Sequence, residues 1–200
     1  MDVGIVILAA GSSSRMNQSK QLLEVTGEPL LLKSVRIALQ SKAEKVAVVL
    51  GANETAHRKL IDQLPIEIVS NPDWKKGMGS SLKKGLTHLI DTTPQIEAAL
   101  IMVCDQPLLT TSHLNRLIEN SVSTKKSIVA SYYSATAGVP ALFKKELFRQ
   151  LLSIDDREGA KSILQKNKDE IATIEFPGGE IDLDTRFDFE NFISTKLSEK

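Results

Sequence analysis

Four short segments combine small residues, hydroxyls and charges in patterns suited to an anionic ligand: Leu8-Ala-Ala-Gly11-Ser-Ser-Ser-Arg15-Met-Asn-Gln-Ser-Lys20, Gly77-Met-Gly-Ser-Ser81, Asp105-Gln-Pro107 and Asp182-Leu-Asp184-Thr185. In the first, Leu8, Ala9, Ala10, Gly11 and Ser12 carry little bulk beyond the leucine, so backbone N–H groups can approach phosphate oxygens and form an anion-binding concavity. Arg15 adds a bidentate cation and Lys20 a mobile point charge. The segment is not a Walker A loop, because no Gly-Lys-Ser/Thr follows. Nor is it the dinucleotide fingerprint, because the second and third glycines are missing at the required spacing. An ordinary tight turn with solvated Ser, Arg and Lys has the same composition, and the residues alone leave both readings open.

The other segments carry the same ambiguity. Gly77 and Gly79 permit close backbone approach, while Ser80 and Ser81 stand where hydroxyls either cap a helix or contact a ligand. Asp105 ends an apolar run, where a carboxylate has no packing purpose; the competing reading is an N-cap or Asx-turn residue before Pro107. Asp182 and Asp184 share one side of an extended chain, so either can serve as a ligand. Cys104 reads as a small buried hydrophobe without a thiolate partner. His57, His88 and His113 lack metal-ligand spacing and read as surface or packing residues, and Trp74 reads as a site-lining or buried aromatic.

These segments need a frame. Apolar runs at Val3 to Leu8, Lys45 to Leu50, Ile66 to Val69, Ala98 to Val103 and Ser127 to Tyr133 predict strands. Most are apolar throughout, as expected of strands covered on both faces. Amphipathic stretches at Leu30 to Gln40, Glu54 to Leu64, Gly79 to Ile90 and Thr111 to Ser121 predict helices, with Thr110, Thr111 and Ser112 supplying capping oxygens. The alternation predicts a three-layer α/β/α single domain over residues 1–200 with a mostly parallel, Rossmann-like central sheet. Ligands of such sheets bind at the carboxyl ends of the strands, where the first segment lies. Beyond residue 135 the rhythm loosens into Gly138-Val-Pro140-Ala-Leu-Phe143, helical stretches around Leu147 and Ile163, a short strand at Ile171 to Phe176 and a last helix. Gly138 and Pro140 are expected on the acceptor side of the site.

Composition narrows the function classes. A chain of 200 residues buries roughly 70% of its unfolded surface without needing staples. Lys plus Arg equals Asp plus Glu at 25 each, so there is no basic excess for a nucleic-acid backbone. One cysteine excludes an internal disulfide and suits a reducing compartment. No stretch has the length of a membrane span, and a cytoplasmic protein is expected.

The run Leu8-Ala-Ala-Gly-x-Ser-x-Arg-Met, with Lys20 and Leu22-Leu23 beyond it, resembles the signature of the MobA-like nucleotidyltransferases, and most of all their molybdenum cofactor cytidylyltransferases. The similarity continues through Asn71-Pro-x-Trp74-x-x-Gly77-Met-Gly-Ser-Ser-Leu82, Asp105-Gln-Pro107, Gly138-Val-Pro-Ala-Leu-Phe143 and Asp182-Leu-Asp184-Thr185. The resemblance implies the nucleotide-diphospho-sugar transferase type of fold and transfer of CMP from CTP to a phosphorylated acceptor such as molybdopterin, releasing pyrophosphate. It implies Mg2+ on Asp105 and Asp184, with Asp182 the alternative, and Arg15 and Lys20 on the triphosphate beside Asp105. It also places the loop of Gly77, Ser80 and Ser81 beside the base. Ala10, where the guanylyl branch carries a second glycine, favours CTP over GTP. Asn17 replaces a usual glycine, Asp156-Arg-Glu-Gly159-Ala-Lys161 departs from Gly-Asp-x-Gly-Ala-Arg, and Arg186 replaces a proline, which leaves other phosphorylated acceptors open. The rival readings are a guanylyltransferase or another cytidylyltransferase, an NAD(P)-dependent oxidoreductase on the same scaffold, and a non-catalytic nucleotide-binding protein.

Overall fold

In the computed structural model, which describes residues 1–14, 16, 18–183 and 185–198, a seven-stranded sheet forms the middle layer. The elements in chain order are β1 (Val3–Ala9), β2 (Glu24–Val25), β3 (Glu28–Pro29), α1 (Leu30–Leu39), β4 (Lys45–Leu50), α2 (Glu54–Ile61), β5 (Glu67–Ser70), α3 (Met78–Thr92), β6 (Ala98–Val103), α4 (Thr111–Ser123), β7 (Ile128–Tyr133), β8 (Thr136–Lys144), α5 (Phe148–Leu152), α6 (Ala160–Lys166), β9 (Ile171–Glu175) and α7 (Arg186–Ser198). The expected strands and helices are all present, with ends shifted by up to three residues. Helix α4 begins as anticipated: the Thr110 hydroxyl accepts from the His113 N–H at 3.2 Å.

The sheet order is β5-β4-β1-β6-β8-β7-β9. Strands β5, β4, β1 and β6 run parallel, with Leu8 opposite Val49 on one side and Val103 on the other. Strand β8 then pairs antiparallel with both β6 and β7, and β9 pairs parallel with β7. The chain builds outward from β1 through β4 to β5 and then returns to the far side of β1 with β6. The order therefore reverses at the carboxyl ends of β1 and β6, the place where open α/β sheets bind ligands.

Alternation along β1 assigns the two faces. Ile5, Ile7 and Ala9 pack with Leu31 and Val35 of α1, Ile61 of α2 and Leu117 of α4. Val6, Leu8 and Ala10 pack with Leu82, Leu86 and Leu89 of α3, Leu151 of α5 and Ile163 of α6. Both sheet faces are thus covered, which explains the unbroken apolar runs in β1 and β6. A third, smaller core joins Met16, Val25 and Leu30 to Leu183 and Phe192, docking the 181–183 segment and α7 near the first loop.

Two features differ from the expected rhythm. The segment around Gly138 and Pro140 is a central strand, β8, rather than irregular chain. It leaves β7 through a tight turn whose residues Ser134 and Ala135 have φ of 47° and 57°, the left-handed geometry of a two-residue hairpin but without its usual Asn-Gly signal. The small hairpin of β2 and β3, turned by Thr26 and Gly27 at φ 57° and 82°, lies outside the main sheet.

Candidate active site

The loop after β1 and the Asp105 loop after β6 meet because β1 and β6 are neighbours. Lys20, at the start of a single 3-10 turn, reaches across and forms an ion pair with Asp105 Oδ2. Both side chains are mostly buried, at 18% and 14% exposure. The Asp105 carbonyl accepts from the Leu183 N–H at 3.2 Å, which brings the Asp182 segment to the same edge. Asp105 Oδ1 is buried and has no hydrogen-bond partner among the described residues. A hard, desolvated carboxylate oxygen left in this way suits a divalent cation, which would also take phosphate oxygens and water. Among the described residues there is no cluster of three or more His, Cys, Asp and Glu that could hold a metal.

The Lys20 and Asp105 pair stands between two lobes of one cleft. The first, of about 310 Å³, is lined by Leu8, Ala10, Gly11, Ser12, Gln21, Trp74, Gly77, Met78, Ser81 and Cys104. The second, of about 430 Å³, is lined by Ile101, Gln106, Tyr133, Thr136 to Val139, Gly159, Ala160, Lys161 and Asp182. Leu8, Lys20, Met78, Val103 and Asp105 belong to both. A Cβ added to Gly11 would meet nothing within 4 Å, so the backbone there faces open space where an anion can approach. Burial, reinforced by the Asp182 and Asp105 carboxylates, raises the Tyr133 pKa, and this phenol stays protonated as a donor at neutral pH. Burial pushes the Cys104 thiol up to about 12 and removes it as a nucleophile.

Several expected site residues take other places. Ala9 is 1% exposed and packs in the core, outside both lobes. Ser80 turns away from the Lys20 cleft: its hydroxyl donates toward the Gly77 carbonyl at 2.8 Å and accepts from Asn71 Nδ2 at 3.0 Å. Ser81 also accepts from Asn71 Nδ2 at 2.9 Å but keeps a place in the cleft wall. Pro140 is buried outside the cleft, its carbonyl accepting from the Ser131 hydroxyl, so Gly138 alone of the expected acceptor pair lines the second lobe. Arg15 and Asp184 lie outside the described residues.

The glycines of Gly77-Met-Gly79 do allow a close approach, but by the protein's own chain. A Cβ on Gly77 would lie 2.3 Å from the Asp156 carbonyl oxygen, and one on Gly79 2.2 Å from that of Asp155. Gly77 also has φ of 132°, which favours glycine. The Asp156 carbonyl accepts from the N–H groups of Gly79 and Ser80 at 2.9 and 3.4 Å, capping α3 in place of a ligand. The Gly79→Ala substitution is accordingly expected to destabilise the fold by about 2 kcal/mol despite alanine's better helix propensity, because the clash is with backbone. Urea unfolding of the variant checks this.

Two residues that lay inside the quoted segments without a role of their own line the second lobe. Lys161, at the start of α6, enters the second lobe only because α6 packs beside β8. Gln106, 5% exposed, donates to the carbonyls of Val139 at 3.1 Å and Gly179 at 2.8 Å, fastening the rim of that lobe.

Comparison with known proteins bears on the family and the fold. The chain is 32% identical over 141 residues to nicotine blue oxidoreductase of Paenarthrobacter nicotinovorans, covering 70% of this chain and 66% of that protein. It is 35% identical over 111 residues to a probable molybdenum cofactor guanylyltransferase of Synechococcus elongatus, about half of each chain at 54% and 53%. The crystal structure of Rv0371c from Mycobacterium tuberculosis superposes with a TM-score of 0.83 at 23% identity, covering 95% and 96% of the two chains, a likeness of fold. A model of the MobA-like NTP transferase domain matches residues 5–171, and the chain belongs to that family.

Proposed function

We propose that this protein transfers CMP from CTP to a small phosphorylated acceptor of the molybdopterin kind, with release of pyrophosphate. The observation that carries the reading is the two-lobed cleft with Lys20 and Asp105 at its waist. A triphosphate held at the waist lies between a nucleoside in the first lobe and an acceptor in the second. An acceptor phosphate oxygen bonds to the α-phosphorus as the bond to the β-phosphate oxygen breaks, and pyrophosphate leaves. The acceptor is already ionised, so no general base is required.

Each residue then has a part in positioning charge. Lys20 places its ammonium on the triphosphate, and the backbone around Gly11 supplies N–H donors to phosphate oxygens. Arg15 is assigned to the triphosphate from its place in the signature. Lys161 faces the acceptor lobe as a cation, and Tyr133, whose hydroxyl donates to the Val139 carbonyl at 3.1 Å, shapes its wall. Mg2+ is assigned to Asp105 with Asp184, or Asp182 in its place, from their motifs, and when bound would supply neutralisation of the triphosphate charge. The methyl group of Ala10 lies in the wall of the nucleoside lobe, which supports the smaller pyrimidine. We place the reaction in the cytoplasm; no helix among the described residues is long and apolar enough to cross a membrane.

The relative that is an oxidoreductase motivates the competing reading, in which the same cleft takes a nicotinamide dinucleotide. Thermal shift with CTP, GTP, ATP and NADPH, each with and without Mg2+, separates the two. CTP at about 100 times its dissociation constant is expected to stabilise by about 2.7 kcal/mol and raise the melting temperature by several degrees. That rise should require Mg2+. A larger response to GTP assigns the guanylyl reaction, and a Mg2+-independent response to NADPH alone assigns the oxidoreductase.

A further inference from the structure

Behind the cleft, the residue after Lys20 forms a hydrogen-bond hub. Gln21 is 1% exposed. Its Nε2 donates to the carbonyls of Ala9 at 3.2 Å and Gly11 at 3.0 Å. Its Oε1 accepts from the hydroxyls of Ser13 at 3.1 Å and Ser19 at 2.6 Å. Both amide protons and both oxygen lone pairs are thereby used. The Ser13 oxygen in turn accepts from the Lys20 N–H at 2.9 Å. The Ser19 hydroxyl spends its proton on Gln21, so at its 2.6 Å contact with His57 Nε2 the imidazole is the donor. His57 is completely buried on α2, and burial lowers its pKa, which keeps the ring neutral.

The carbonyl of Ala10 is also held, by the Ala52 N–H at 3.0 Å. Three successive carbonyls of the loop, those of Ala9, Ala10 and Gly11, are therefore tied to the interior of the protein. A trans peptide sets each N–H opposite its carbonyl. Fixing these carbonyls thus fixes the N–H groups of Ala10, Gly11 and Ser12, all of which line the nucleoside lobe, with Ala52 setting that of Gly11 and Gln21 those of Ala10 and Ser12. The same side chain, through Ser13, anchors the main chain from which Lys20 projects.

We propose that Gln21 is a positioning residue that pre-sets the backbone N–H groups of Ala10 and Ser12, together with Lys20, for the phosphates of the nucleotide, an assignment that rests on the nucleotide-binding reading above. Without it the loop must be ordered at the expense of binding energy, so the effect falls on the polyphosphate and not on the base. This distinguishes Gln21 from a core residue whose loss weakens every ligand alike through the fold.

The test measures binding of inorganic tripolyphosphate and of CTP, each with Mg2+, by calorimetry on the full chain. The parent is compared with Gln21→Met, which keeps the side chain's length but makes none of its four hydrogen bonds. Tripolyphosphate binding should weaken by about tenfold or more, with faster hydrogen exchange confined to residues 9–14. Should Gln21→Met fail to fold, Ser13→Ala, at a part-exposed position, removes one bond to Gln21 and the acceptor of the Lys20 N–H. It should weaken tripolyphosphate by about threefold. A folded variant that binds tripolyphosphate within twofold of the parent overturns the assignment of Gln21 while leaving the nucleotide reading intact. A parent that binds CTP but not tripolyphosphate also overturns it, since the phosphates then are not what the loop holds. If the parent binds neither, the nucleotide reading falls and the assignment with it.

Discussion

Replacing Lys20 by methionine is expected to slow pyrophosphate release from CTP and molybdopterin by about a hundredfold or more. The variant should still melt within a few degrees of the parent. The rate estimate follows from the loss of one preorganised charge contact, typically about 3 to 4 kcal/mol of transition-state stabilisation in a site shielded from water. Asp105→Asn should lose activity on the same scale: it keeps the side chain's shape but removes the charge that holds Lys20 and would hold the metal. The two residues act as a unit, so the double variant should be far more active than the product of the two losses implies. Stability gives an independent check. Lys20→Met leaves the Asp105 carboxylate, 14% exposed and with Oδ1 already unpartnered among the described residues, without its ammonium. Neutralising that carboxylate removes the penalty, and the double variant should melt above Lys20→Met. A coupled pyrophosphate assay beside melting curves decides the matter. Unchanged turnover in both single variants would place the chemistry elsewhere.

How far the site was legible follows from what each motif needed from the rest of the chain. Asp105 could be read because a carboxylate just beyond an apolar strand has few structural reasons to be there, and Lys20 from its place in the small-residue loop after β1; β1 and β6 do lie side by side. The helices were legible from their periodicity, since their apolar faces cover the sheet. Strand β8 was hidden by Gly138 and Pro140, residues that ordinarily interrupt a strand. Here Gly138 makes room for the Tyr133 ring, whose hydroxyl oxygen would lie 2.2 Å from an added Cβ. Pro140 falls within β8, and its carbonyl accepts from Ser131 of β7. Nor does composition tell whether a glycine accommodates a ligand or another part of the chain. Gly11 faces open space, whereas Gly77 and Gly79 accommodate the backbone of residues 155–156. Gln21 was invisible for a related reason: its partners Ala9, Gly11, Ser13 and Ser19 are an ordinary local set until the loop folds back over the side chain.

Acid should destabilise this protein from about pH 6.5 downward, with His113 the main site of proton uptake. His113 is 5% exposed, its ring stacks on Phe176 at 4.5 Å, and it contacts the Ser131 hydroxyl through Nε2 at 2.7 Å. The Ser131 proton goes to the Pro140 carbonyl at 2.7 Å, so the imidazole donates to Ser131 and is neutral in the fold. Burial, with Arg116 adding to it, lowers the His113 pKa from 6.5 to about 4. A histidine whose folded pKa is depressed contributes stability that is fully present above the unfolded value. That stability is lost as pH falls through the interval down to the folded value, because the unfolded chain takes up the proton first. Between pH 7 and pH 5 this linkage amounts to about 2 kcal/mol, and by pH 4 to about 3 kcal/mol. The check is urea unfolding of the parent and of His113→Gln, whose amide can still donate to Ser131. The variant should be less stable at pH 7, where the stacked ring is lost, and its stability should decline much less steeply toward pH 5. The shallower decline is diagnostic, because the other buried histidine, His57, also has a lowered pKa and is present in both proteins. Parallel stability profiles for the two proteins would show that His113 does not carry the acid sensitivity.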